Sequence, residues 1–197
     1  MRAYERGVAQ PVLDLAIDVR PNEGPARILS YNKMLGQLQD AGNIVTLAHY
    51  LELLSSAFLI TGLNQWTGGV LRHRASSPKL VIRNNALVNA WPGKDFQSIR
   101  HRHEEWGWLV ENAVGGYLLN QMPEHSVYYW RQGDDEVDYI LHYGDRVLAL
   151  EVKSGRPRRA GGLQAFHRRY PDARTLIIGS GGITLEQFFT TPPMDWF

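Results

Sequence analysis

The stretch Asp138-Tyr139-Ile140-Leu141-His142-Tyr143-Gly144-Asp145-Arg146-Val147-Leu148-Ala149-Leu150-Glu151-Val152-Lys153 reads as two β-strands joined by a two-residue Gly144-Asp145 turn. Such a turn makes Tyr143 and Arg146 partners, and that register sets Asp138 opposite Glu151. Cross-strand partners share a side of the sheet, so the two carboxylates are expected about 5 Å apart at their Cβ atoms. Lys153, two residues beyond Glu151, projects from the same face. Tyr139, Leu141, Leu148, Leu150 and Val152 occupy the other face, an apolar set suited to a core.

Two carboxylates held opposite each other repel unless something offsets their charge. A hard divalent cation does so, and oxygen ligands with water fit Mg2+, or Mn2+ in its place. Asp138 and Glu151 are therefore the expected metal ligands. Lys153 beside them can orient water or stabilise charge developing on a phosphodiester. The same string also arises on a solvated strand face where Asp, Glu and Lys simply pair, and the string alone leaves both readings open.

Around this hairpin the chain predicts an α-β-β-β-α-β order. A long helix spans about His101 to Met122, with Trp108, Glu111, Gly115 and Leu118 along one face. Strands follow at Val127–Trp130, Glu136–Tyr143 and Arg146–Lys153, then a helix at Leu163–Tyr170 and a strand at Thr175–Ile178. Gly115-Gly116 in mid-helix costs roughly 1 kcal/mol per residue against alanine, which implies close approach of that helix to a sheet. Glu111 supplies a third carboxylate if the helix packs on the hairpin.

Upstream, residues 1–27 form a lead-in with a Pro/Gly stretch. Ser30 caps a short helix through Leu38, with Gly42 just past its end, and Thr46 opens a second carrying Leu47, Tyr50, Leu51, Leu54 and Phe58 at helical spacing. Two apolar segments, Phe58–Leu63 and Lys79–Arg83, read as the strands of a wing joined by a basic loop with Arg72, His73 and Arg74. Helix, turn, helix and wing make a winged-helix arrangement over residues 28–92, closed by the Trp91-Pro92-Gly93-Lys94 break. Its second helix offers His49, Glu52 and Ser55 to solvent and no Lys or Arg, which weakens a transcription-factor reading. Arg72, Arg74 and Lys79 are the expected nucleic-acid contacts. A structural or protein-binding role for the module remains an alternative.

Composition is that of a globular protein: 197 residues, 44% hydrophobic, 21% charged, with no cysteine and hence neither disulfides nor thiolate zinc. No apolar run approaches the roughly 18 residues that span a bilayer, so a cytoplasmic protein without a membrane partner is expected. The net charge of +1 conceals two basic clusters. Seven Lys/Arg against Asp95 alone lie between Arg72 and Arg102; the other comprises Arg156, Arg158, Arg159, Arg168, Arg169 and Arg174. Such clusters suit a polyanion, and DNA is the expected partner.

Val127-Tyr128-Tyr129-Trp130-Arg131, Glu136-Val137-Asp138 and Glu151-Val152-Lys153-Ser154-Gly155 resemble a prokaryotic domain of unknown function found C-terminal to the ATPase core of AAA-type ATPases. Ser77-Pro78-Lys79-Leu80 with Asn84 and Ala86-Leu87 resembles the segment closing the winged helix in that family, as does Ser30-Tyr31-Asn32-Lys33 with Leu47 to Leu54. The resemblance covers about residues 28–180. That domain is in turn similar to PD-(D/E)XK nucleases, particularly archaeal Holliday junction resolvases. The resemblance implies Glu111, Asp138, Glu151 and Lys153 as the catalytic signature, with Gln164 as the polar helix residue facing the site. The family's phosphate-binding loop, GxxxxGK[ST], is absent from these 197 residues, so no nucleotide site is expected here. An ATPase partner, or a missing ATPase region, would supply that activity.

The expected architecture is thus α/β: a winged-helix module, then a restriction-endonuclease-like mixed-sheet domain at 98–197. The expected function is metal-dependent DNA phosphodiester hydrolysis. The alternative is a non-catalytic DNA- or protein-binding module that positions a partner ATPase. Oligomeric state and DNA preference are not encoded in any of these signals.

Overall fold

A computed structural model describes residues 26–37, 43–68, 77–89, 96–155 and 161–197. Most of the lead-in, Gly42, the loop with Arg72, His73 and Arg74, the Trp91–Lys94 break, and Arg156, Arg158 and Arg159 lie outside the described residues.

The N-terminal part is a helix pair on a small sheet. Strand β1 (Arg27–Ile28) precedes helices α1 (Tyr31–Gln37) and α2 (Ile44–Ser56), then strands β2 (Ile60–Leu63) and β3 (Lys79–Ile82). The three strands are antiparallel in the order β1-β3-β2. Ser30 caps α1 as expected, its Oγ accepting from Lys33 N at 3.2 Å. Helix α2 starts earlier than the sequence suggested. Asn43 is its cap, accepting from Thr46 N at 3.0 Å, so Thr46 is a donor to the cap rather than the cap itself. Leu47, Tyr50, Leu51 and Leu54 bury one face of α2 against Met34, Ile60, Leu80 and Ile82. Phe58 is not a strand residue: it sits in the turn after α2 at φ 57° and is exposed, under the Arg83 guanidinium.

Short helices α3 (Asn85–Asn89) and α4 (Phe96–Arg100), which no sequence signal announced, lead to the long helix α5 (His103–Gln121). The C-terminal part continues with β4 (Val127–Gln132), β5 (Asp135–Tyr143), β6 (Arg146–Lys153), α6 (Gly161–Arg169), β7 (Arg174–Gly179), α7 (Leu185–Thr190) and a 3-10 turn, Pro193–Trp196. Its sheet runs β4-β5-β6-β7, antiparallel except for the β6–β7 pair. The predicted order is observed, with α7 added. Gly144 takes φ 62°, the positive value a tight hairpin turn needs at its first central residue.

The sheet is covered on both faces. Val114 and Leu118 of α5 pack with Tyr139, Leu141, Leu148 and Leu150, while Leu163 and Phe166 of α6 pack with Val137, Ile140 and Ala149. The paired glycines of α5 are where that helix touches both sheets. A Cβ on Gly115 would stand 2.8 Å from Tyr139 Cζ, and one on Gly116 would stand 3.0 Å from the Arg83 carbonyl oxygen. Asn112, fully buried on the same helix, accepts from Ile82 N and donates to Ile82 O, both at 2.9 Å. The two parts therefore share one interior along α5. Among the described residues no helix is long and apolar enough to cross a membrane.

Candidate functional site

The site begins with an irregularity in β5. Pairing with β4 runs Val127↔Leu141 and Tyr128↔Ile140, then resumes at Trp130↔Val137. Asp138 and Tyr139 therefore stand together against Tyr129. A bulge of this kind bends the strand and re-aims its side chains. Strict alternation would put Val137 and Tyr139 on one face, yet Val137 packs with Ile140 on the α6 side and Tyr139 packs on the α5 side.

The bulge ends the regular ladder one step before the acidic pair. The β5–β6 ladder keeps the predicted register from Tyr143↔Arg146 to Tyr139↔Leu150, and stops there. One step further Asp138 joins β6 through its side chain, Val152 N donating to Oδ2 at 2.8 Å. The two carboxylates are thus not a simple facing pair continuing the ladder.

What faces Asp138 is a lysine. Lys79 opens β3 and is fully buried. Its ammonium lies 2.6 Å from Glu111 Oε1, 3.4 Å from Glu136 Oε1 and 3.6 Å from Asp138 Oδ1, donates to the Asp138 carbonyl at 3.2 Å, and sits 5.0 Å from the centre of the Tyr139 ring. Tyr139 in turn donates its hydroxyl to the Glu111 carbonyl at 2.9 Å. This overturns the expectation of Lys79 as a surface phosphate contact. A lysine with no exposed surface, surrounded by three carboxylates, has no face left for DNA.

Glu151 closes the other side. It is buried at 7% exposure, its Oε1 paired with the Lys153 ammonium. Its Oε2 is buried and has no hydrogen-bond partner. An orphaned carboxylate oxygen costs free energy unless a cation reaches it.

The electrostatics follow from this crowding. Burial would lower the Lys79 ammonium, but Glu111 and Asp138, aided by Tyr139 and Glu136, hold it well above the usual lysine range. Burial and the Asp138 charge push Glu111 up to about 8 despite its contact with Lys79. Burial, then Asp138, also raises Glu151 against the pull of Lys153.

The structure thus brings together Glu111, Asp138, Glu151 and Lys153, and adds Lys79 and Glu136, which sequence reasoning did not place here. A lysine opening the buried run Leu80-Val81-Ile82 was the available signal. Gln164 is exposed on α6, and among the described residues no hydrogen bond or ion pair joins it to the others. Arg72 and Arg74 fall outside the described residues. Among the described residues no three His, Asp or Glu side chains are arranged as a metal-ligand set. The Glu111 carboxylate, which would make the third, is engaged by Lys79. A groove of about 680 Å³ between β2 and α5, lined by Phe58, Arg83, Asn120 and His125 among others, shares no residue with this cluster.

Residues 106–188 match a family described as a domain of unknown function (DUF4143), which is found in AAA-ATPase-associated proteins. Residues 20–98 match a second domain of unknown function, DUF8612. Uncharacterized proteins of Mycobacterium bovis and Mycobacterium tuberculosis are each 28% identical over 109 residues, a stretch that takes in 55% of this chain. The match spans about a quarter of those relatives, 25% of each. No solved structure matches the chain.

Proposed function

We propose that the chain hydrolyses phosphodiester bonds of DNA with a divalent metal, Mg2+ or Mn2+, held by Asp138 and Glu151. The observation that carries this reading is the buried, unpartnered Glu151 Oε2 beside the bulged Asp138, with Lys153 fixed on the same carboxylate. Two carboxylates, with water and substrate phosphate completing the shell, are a donor set that suits Mg2+. When bound, the ion supplies Lewis-acid stabilisation of charge on the phosphate. Lys153 holds Glu151 in place and presents its ammonium, part-exposed, toward the phosphate. Glu111 acts through Lys79 and not as a direct ligand. In this reading the fold is a restriction-endonuclease-like domain behind a winged helix, and Arg72 and Arg74 supply the DNA contact without Lys79.

A second reading has one specific observation in its favour. The Lys79 ammonium already stands against Glu111 and Asp138, as expected of a module that keeps the shape of a nuclease site while positioning a partner ATPase. Cleavage assays on duplex, single-stranded and branched DNA with Mg2+ and Mn2+ separate the two. Cleavage lost in Glu151→Gln and Lys153→Ala supports hydrolysis; DNA binding without cleavage of any substrate supports the module.

A further inference from the structure

Lys79 and the carboxylates it meets come from different parts of the chain. The lysine belongs to the stretch matching one domain family, and Glu111, Glu136 and Asp138 belong to the stretch matching another. Between Glu111 Oε1 and Asp138 Oδ1, at 2.6 and 3.6 Å from Nζ, the ammonium occupies the point where two carboxylates from a helix and a strand would otherwise share a cation. A buried ammonium and a divalent ion are alternative solutions to the same repulsion.

We propose that Lys79 is a built-in cation, lent by the N-terminal part, that takes the place of a second metal ion and confines the site to one ion at Asp138 and Glu151. The single-ion part rests on the hydrolytic reading above; the displacement of an ion by Lys79 does not. Lys79 is a positioning residue. It meets no substrate, having no exposed surface, and acts by fixing the Glu111 and Asp138 carboxylates. Its contacts with the Asp138 carbonyl and the Tyr139 ring anchor it at the bulge itself, beside a third carboxylate, Glu136, at 3.4 Å, so the charge is delivered where β5 departs from regular pairing. A lysine serving only as packing would be interchangeable with an apolar side chain of similar length. A lysine serving as a cation is replaced only by another cation, or by removal of the negative charge it meets.

The test counts Mn2+ per chain by equilibrium dialysis on the full chain, for wild type, Lys79→Met, and Lys79→Met combined with Glu111→Gln. The expected result is one ion more on Lys79→Met than on wild type, and its loss in the double variant. Equal counts on wild type and Lys79→Met overturn the proposal. The count is a difference, so it is separable from the hydrolytic reading. A wild type that binds no Mn2+, beside a Lys79→Met chain that binds one, sustains the displacement by Lys79 and removes the ion at Asp138 and Glu151. If Lys79→Met does not fold, refolding on addition of Mn2+ has the same meaning as the extra ion, and failure of Mn2+ to restore the fold overturns the proposal.

Discussion

Asp138 Oδ2 accepts the Val152 amide at 2.8 Å, a side chain standing where the β5–β6 ladder would have used its backbone. The bond ties the bulge to β6 and fixes one oxygen of the carboxylate, leaving the other toward Lys79. Asp138→Asn keeps an oxygen acceptor and removes one repelling charge, so a loss under about 1 kcal/mol is expected. Asp138→Ala strands the Val152 amide and is expected to cost about 1–3 kcal/mol. Urea denaturation of the two variants checks this. Equal losses would show that the bulge is not held by this bond.

The helix α5 glycines give a prediction with an internal control. Gly115→Ala drives a Cβ into Tyr139, which is fully buried with its hydroxyl committed to Glu111, so neither partner has room to yield. A loss of roughly 1–3 kcal/mol or more is expected. Gly36 of α1 has nothing within 4 Å of an added Cβ. Gly36→Ala is expected to gain up to about 1 kcal/mol from helix propensity. Melting temperatures moving in opposite directions confirm the distinction; a fall for both refutes it.

The sequence was legible where local chemistry decides the outcome. Gly144-Asp145 specified the hairpin and its register, and Gly115-Gly116 correctly announced the close approach of α5 to a sheet. What could not be read was the bulge at Asp138-Tyr139, because it depends on β4, whose partner register is set by non-local packing. Lys79 was misjudged for the same reason. Charge counting places a lysine in solvent, and only the tertiary fold shows three carboxylates waiting for it. The short helices α3 and α4 carried too few residues for periodicity to report.

Stability should fall as pH rises. Glu111 is raised from 4.5 to about 8 in the folded chain, so between those values the folded state retains a proton the unfolded state has lost. Its contribution is complete below about pH 4.5 and is removed as pH passes 8. Glu151 is raised too, and acts in the same direction. Melting temperature is expected to drop between pH 5.5 and 8.5, and to drop less in Glu111→Gln, which has no proton to lose. A profile for Glu111→Gln parallel to wild type would contradict this account.

The orphaned Glu151 Oε2 makes the last prediction. A buried carboxylate oxygen without a partner, repelled by Asp138, is relieved by a cation that binds only the folded state. Ca2+ or Mg2+ should therefore raise the melting temperature of wild type by mass action, by about 2.7 kcal/mol of stability at a hundredfold excess over Kd. Glu151→Gln and Asp138→Asn each remove a charged ligand and should abolish the response. Lys153→Ala removes a competing cation from Glu151, so it should keep the metal response while losing cleavage. Ordinary paired surface charges, worth about 0–1 kcal/mol, would give none of this pattern: no variant and not the wild type would respond to either ion. Thermal unfolding of the four chains with and without Ca2+ decides between them, and a wild type indifferent to both ions would leave Glu151 and Asp138 without a metal to hold.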